Sequence, residues 1–202
     1  MLGRDRRGTP ADLLVIGMGN PGVEYEGSRH NVGAETAARL ARRHGGKTLG
    51  KSREKALVAE VSIDGTRVVL AFPQTYYNDA GLAARLLAHR HGITDPAQVV
   101  VVHDELDLPV GKLKLKAGGG LAGNNGLRSI KAHLKTDSFL RVRIGVGKPP
   151  NAARGADHVL KRPTKTERTE LDVVIEEAAD AVELIATAGI ERAMERFNQR
   201  GD

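Results

Sequence analysis

Residues 13–31 read LLVIGMGNPGVEYEGSRHN, and the fold turns on this stretch. It opens with Leu13-Leu14-Val15-Ile16, an apolar run of the kind that makes a strand buried on both faces. Gly17-Met18-Gly19-Asn20-Pro21-Gly22 follows, where glycine and proline force the backbone to turn. A polar loop then leads to Ser28, Arg29, His30 and Asn31, just ahead of an amphipathic pattern that predicts a first helix over residues 28–44. A buried strand thus delivers Asn20 to one edge of a sheet, and His30 returns to that edge at a helix start. Open α/β sheets put their sites at such an edge.

The string Gly17-x-Gly19-x-x-Gly22 matches the dinucleotide fingerprint, whose third glycine lies inside the helix that receives the pyrophosphate. Here Val23-Glu24-Tyr25-Glu26-Gly27 intervenes before any helical pattern. The acidic residue that the fingerprint needs about 20 residues further on is missing from residues 37–43. A dinucleotide-dependent oxidoreductase is therefore the weaker reading.

Outward from this stretch, residues 1–11 read as a disordered leader and residues 12–202 as a single domain. Strand patterns at residues 55–63 and 66–72 flank Asp64-Gly65, a strong hairpin signal. An Ala/Leu-rich helix is expected over residues 79–91, ended by Gly92. Residues 98–102 carry the most strand-like run, with His103-Asp104-Glu105-Leu106-Asp107-Leu108-Pro109 at its carboxyl end. Residues 112–116 alternate basic and apolar, as a half-exposed strand does. A glycine-rich loop spans residues 117–123, and Asn124 or Asn125 caps a helix running to about Leu134. A strand at residues 139–146 and a connector at 148–155 precede two closing helices, residues 165–188 and 190–199, separated by Gly189. Hairpins mixed with helices predict an α/β fold: a twisted mixed β-sheet flanked by helices.

The 202 residues contain no cysteine, which excludes disulfides, thiol nucleophiles and thiolate metal sites. No apolar run approaches a membrane span, so no membrane partner is expected. The formal charge is +6, from 31 basic and 25 acidic residues. Its clustering says more: Arg42, Arg43, Lys47, Lys51, Arg53 and Lys55 lie close in sequence, and Lys112, Lys114 and Lys116 alternate. Such clusters favour an anionic partner such as nucleic acid. With few aromatic residues, phosphate contact fits better than base stacking over a broad surface.

Several polar residues fall at predicted sheet edges without a structural need. They are Asn20 and His30, then Asn78, His103-Asp104 and Asn125. Neighbouring strand residues face opposite sides, so His103 and Asp104 do not act on one object. Alternate residues do share a face, which leaves His103, Glu105 and Asp107 as a metal reading, but no further His/Asp cluster completes the ligand set. Taken singly, His30 also reads as a surface or capping histidine, and Asn20 before Pro21 as a turn residue.

Taken together, the motifs GMGNPGxEYxxSRHNVG, PQTYYNDAG, HDELDLPVGKLKLKxGGG, NNGLRSI and FLRVRIGVG occur in this order. The chain resembles the bacterial peptidyl-tRNA hydrolase family over nearly its whole length. The resemblance implies hydrolysis of the ester between a peptide and the ribose of tRNA, with no cofactor and no metal. It implies His30 as general base and Asp104 as the carboxylate that holds its tautomer. A neutral imidazole suits the first role, since its reference pKa is about 6.5. Asn125 would hold the water or the carbonyl, and Asn20 and Asn78 the peptide groups. Tyr25 and Tyr76 match positions that contact the 3′ end of tRNA. Lys114, Lys116, Arg141 and Arg143 resemble the family's tRNA-phosphate clamp, with a structural pairing as the other reading of Arg143. A cytoplasmic monomer is the expected setting. Three departures ring the site: Leu121-Ala122 in the glycine loop, Asn124 where the family usually has histidine, and Tyr77 where methionine is common. A non-catalytic RNA-binding relative is the competing reading, and retention of His30, Asp104, Asn20, Asn78 and Asn125 argues against it.

Overall fold

A computed structural model describes residues 8–45, 48–149, 151 and 155–199. Strand β1 (Leu13–Gly17) is buried at every position, as its unbroken apolar run requires. It lies between β4 (Thr66–Pro73) and β5 (Val99–Glu105), parallel to both. The hairpin of β3 (Ala56–Ile63) and β4 pairs Ile63 with Thr66, and both Asp64 and Gly65 take positive φ, as a two-residue I′ turn needs. A short β2 (Gly50–Lys51) extends this edge. On the other side β7 (Leu140–Gly145) runs parallel to β5, and β6 (Leu113–Ala117) closes the sheet antiparallel to β7. The order is β2-β3-β4-β1-β5-β7-β6, a mixed seven-stranded sheet.

Alternation of side chains divides the core in two. Leu13, Val15, Val100, Val102, Val142 and Ile144 pack with α1 (Val32–Gly45) and α5 (Lys165–Asn198). Leu14, Ile16, Val69, Val99 and Val101 pack with α2 (Ala80–Arg90) and α3 (Asn125–Leu134). Each buried Val, Leu or Ile contributes about 1.5–3 kcal/mol, so a one-residue register slip in β1 or β5 is strongly disfavoured. The two expected closing helices form one element broken at Gly189 (φ 84°), and a Thr164–Glu167 capping box starts it.

Four features depart from the sequence reading. The strand expected over residues 98–102 continues to Glu105, because β7 pairs with His103, Asp104 and Glu105. The first helix begins only at Val32, after a 3-10 turn at Arg29–Asn31. A helix that the sequence reading missed, α4 (Gly155–Leu160), starts where the connector ends. Arg43 of the basic cluster is consumed in a seam between α1 and α5, bonding Asp180 at 2.8 Å, Glu183 at 3.0 Å and also Glu176. Lys47 lies outside the described residues, as do residues 1–7 of the expected leader. Gly8 and Ala11 donate backbone hydrogen bonds to Arg90 O and His91 O. Among the described residues no helix is long and apolar enough to cross a membrane.

One close approach positions the site. A Cβ on Gly33 would lie 2.2 Å from Val102 O and 2.6 Å from Met18 N. Only glycine lets the start of α1 sit directly on the ends of β1 and β5. There Met18 N bonds Val102 O and Ala34 N bonds Met18 O, both at 2.9 Å. The turn that carries His30 is thereby pressed against the strand end that carries Asp104.

Candidate active site

The carboxyl ends of β1 and β5 open into a cleft of about 510 Å³. Its walls include Asn20, His30, Tyr76, Tyr77, Asn78, Asp104, Asn124 and Asn125. His30 Nδ1 lies 2.9 Å from Asp104 Oδ2. The Asp104 carboxylate is 4% exposed and only accepts, so His30 donates to it from Nδ1–H, with Nε2 on the far side of the ring. Tyr77 OH donates to the other carboxylate oxygen, Oδ1, at 2.8 Å. Its ring stacks on the imidazole, with centroids 3.5 Å apart and planes 14° from parallel. Burial, reinforced by the Asp104 charge, pushes the Tyr77 phenol well above its ordinary pKa, so it stays a donor.

Asn20 is held at three points. Asn31 bonds both sides of its backbone, accepting from Asn20 N and donating to Asn20 O at 2.9 Å each. Asn20 Oδ1 accepts from Tyr77 N at 2.8 Å. That bond fixes the amide's orientation and leaves Nδ2 to donate. Asn125 Oδ1 likewise accepts from Arg128 Nη1 at 3.2 Å, leaving its Nδ2 as a donor. Asn124 caps α3 through Oδ1, which accepts from Leu127 N at 3.0 Å.

Arg29 braces the turn from behind. Its Nη1 donates to the carbonyls of His158, Lys161 and Arg162, and its Nη2 donates to Glu167 at 2.7 Å. Burial alone would raise the Glu167 carboxyl, but hydrogen bonds from Arg29 and Thr164 hold it down at about 2.

Six residues expected at the site therefore meet in one cleft: Asn20, His30, Tyr76, Asn78, Asp104 and Asn125. Tyr25, Lys114, Lys116, Arg141 and Arg143 are not among its lining residues. Lys114 and Lys116 are half-buried on β6. Arg143 bonds Glu105 at 3.1 Å, the structural pairing weighed for it. Arg141 corrects the clamp expectation. It is 2% exposed and donates to Gly118 O, Gly119 O and Gly120 O, the last two at 3.0 and 2.8 Å. Its two terminal nitrogens hold the glycine loop and are not presented to a partner. Two residues of the metal reading are engaged elsewhere, Glu105 with Arg143 and Asp107 with Lys148. His103 points into the core, donating Nδ1–H to Asp104 O at 2.8 Å, and burial lowers its pKa. The sequence reading named Asn31 in the SRHN motif but gave it no role.

The sequence model of the family described as peptidyl-tRNA hydrolase matches residues 14–202. The chain belongs to this family. It is 50% identical to the peptidyl-tRNA hydrolase of Rhodococcus erythropolis over 185 residues, covering 92% of this chain and 97% of the relative. It is 46% identical to that of Cutibacterium acnes over 195 residues, with the same coverage. The crystal structure of peptidyl-tRNA hydrolase from Acinetobacter baumannii superposes with a TM-score of 0.86 at 34% identity, covering 95% of this chain and 97% of that one. The dinucleotide reading ends here. Gly22 leads into a 3-10 turn at Val23–Tyr25, where a dinucleotide-binding protein has the helix that receives the pyrophosphate.

Proposed function

We propose that this chain hydrolyses the ester joining a peptide to tRNA, with His30 as the general base. The observation that carries the reading is the 2.9 Å contact of His30 Nδ1 with a buried Asp104, in a cleft lined by asparagine amides. His30 Nε2 takes a proton from water, and the oxygen attacks the ester carbonyl carbon. The imidazolium, stabilised by Asp104, then returns the proton to the departing ribose oxygen. General-base catalysis of this kind is worth about 10²–10⁴ in rate. Asn125 Nδ2 is placed to donate to the carbonyl or to the water.

Asn20 gives the site a preference for N-blocked substrates. It offers the cleft an N–H, which suits the carbonyl of an acylated α-nitrogen. A free α-ammonium brings three donors and would face another donor while losing its water. Tyr76, 65% exposed at the rim, and Asn78 beside it suit the last nucleotide and the peptide. Tyr25 lies on the loop before His30 and extends that tRNA contact. Lys114 and Lys116 contact tRNA phosphates, which position without reading sequence. The reading takes the chain as a monomer, and a substrate supplied by translation supports a cytoplasmic setting.

The test is turnover of an N-blocked aminoacyl-tRNA by the parent and by His30→Ala, with tRNA affinity measured alongside. We expect His30→Ala to lose nearly all turnover and to keep tRNA affinity. Near-parental turnover in His30→Ala would sink the mechanism, and no turnover in the parent would favour the RNA-binding relative.

A further inference from the structure

Two of the three departures from the family pattern touch each other. Asn124 Nδ2 donates to Tyr77 OH at 3.1 Å, and that hydroxyl donates to Asp104 Oδ1 at 2.8 Å. We propose that Tyr77 and Asn124 form one positioning unit, which orients Asp104 and shares its charge so that His30 is held as the base. The proposal rests on the reading of His30 given above.

The argument starts at the carboxylate. Asp104 is buried, and His30 satisfies only Oδ2. An oxygen left without a donor in such a place is costly. Methionine at position 77 has no donor to give, whereas tyrosine supplies one from a ring that can reach. The hydroxyl still has an acceptor site, and Asn124 fills it. The amide of Asn124 is suited to two tasks at once, because Oδ1 caps α3 while Nδ2 reaches Tyr77. Room for the ring comes from Gly126, where a Cβ would stand 2.4 Å from Tyr77 Cε1. The Tyr77 backbone is fixed by Asn20 Oδ1, so the ring cannot drift from the imidazole it covers. His30 is therefore restrained in two directions: along its Nδ1–H by Asp104, and across its face by Tyr77.

Sharing Asp104 has an electrostatic consequence. A donor on Oδ1 draws charge from the carboxylate and weakens its hold on imidazolium. Removing the hydroxyl strengthens that hold and keeps His30 protonated to higher pH. The titratable groups lining the cleft are Asp104, Glu105, Asp107, Lys148, Tyr76 and Tyr77, together with His30 itself. Glu105 is tied to Arg143 and Asp107 to Lys148, so the hydroxyl acts on Asp104.

The experiment is a double-mutant cycle of Tyr77→Phe and Asn124→Ser on a peptidyl-tRNA, with full pH profiles. Phenylalanine keeps the stacked ring and loses the hydroxyl, and serine keeps a capping oxygen and loses the amide donor. We expect Tyr77→Phe to lower kcat about tenfold with KM within about twofold, as for one lost hydrogen bond to a charged group. The acid limb of its kcat/KM profile should move up by about half a pH unit. Asn124→Ser should lose about threefold, and the double variant should be no worse than Tyr77→Phe, because Asn124 acts only through the hydroxyl. Losses that multiply across the cycle would overturn the unit, as would parental kcat and pH profile in Tyr77→Phe. The His30 ring titration, followed by NMR in free parent and Tyr77→Phe, gives a readout without turnover. An upward move supports the unit even if the parent proves inactive on peptidyl-tRNA, and an unmoved titration overturns it even if the parent is active.

Discussion

The cleft and the β6–β7 edge both collect polar side chains at a sheet margin, and they use them in opposite ways. In the cleft each group closes on another: Asn31 on Asn20, Asn20 on Tyr77, Tyr77 on Asp104 and Asp104 on His30. At the edge, four cations of similar appearance divide. Lys116 pairs in register with Arg141 and Lys114 with Arg143, yet the arginines are spent inside the protein. Lys114 Nζ reaches Asn198 O at 3.4 Å. Positive charge alone does not mark a nucleic-acid surface; what matters is whether its donors are already used. An interlocked cluster should respond to substitution through kcat, and a row of independent cations through KM and salt.

The sharpest way to break this contrast is Asp104→Asn. The base survives in a poorly held tautomer, so kcat should fall by about 10²–10³, less than removal of the base itself. A small ester lacking the tRNA body should report the same loss. If the loss appeared in KM alone, the cluster would be a binding device. Arg141→Ala should come next. Freeing three loop carbonyls should cost about 2–3 kcal/mol in stability and lower turnover on the small ester as well. Thermal unfolding and that ester assay check it, and a variant with parental stability but weakened tRNA binding would return Arg141 to the clamp.

Lys114→Ala with Lys116→Ala should leave kcat on the small ester unchanged. It should raise KM for peptidyl-tRNA and flatten the dependence of affinity on salt by up to about one counterion per contact. Loss of kcat on the small ester would place these lysines in the catalytic cluster. The smallest effect concerns the brace behind His30. The Glu167 carboxyl is held at about 2 against an ordinary 4.5, so its contribution is present above pH 4.5 and lost as pH falls towards 2. Its side chain is 25% exposed, so Glu167→Gln should cost about 1 kcal/mol at pH 7. Melting curves of parent and variant should converge near pH 2. A difference that persisted there would mean that packing, not charge, does the bracing.

Much of this was legible without coordinates. The apolar run at Leu13–Gly17, the Asp64-Gly65 turn and the break at Gly189 follow from periodicity and turn chemistry, which act between near neighbours. The ordered motifs brought His30, Asp104 and the amides Asn20, Asn78 and Asn125 forward together. α4 was not legible, because six residues carry too little periodicity. The end of β5 was not either, because Glu105 joins the strand only through its partner in β7.

What the sequence determined by itself is the set of elements and the residue types brought to the sheet edge. Which of those groups are free to act was decided by tertiary structure. Arg141 and Lys116 look alike in an alternating strand, and only the path of the glycine loop across β7 buries one of them. Tyr77 and Asp104 are 27 positions apart, and the Arg29 brace spans 138. Such pairings depend on β1 lying beside β5 and on α1 resting on both through Gly33. A hydrogen bond needs its partner within about 3 Å. Local sequence sets which way a side chain points along its own element, and only the packing of distant elements sets what it meets there.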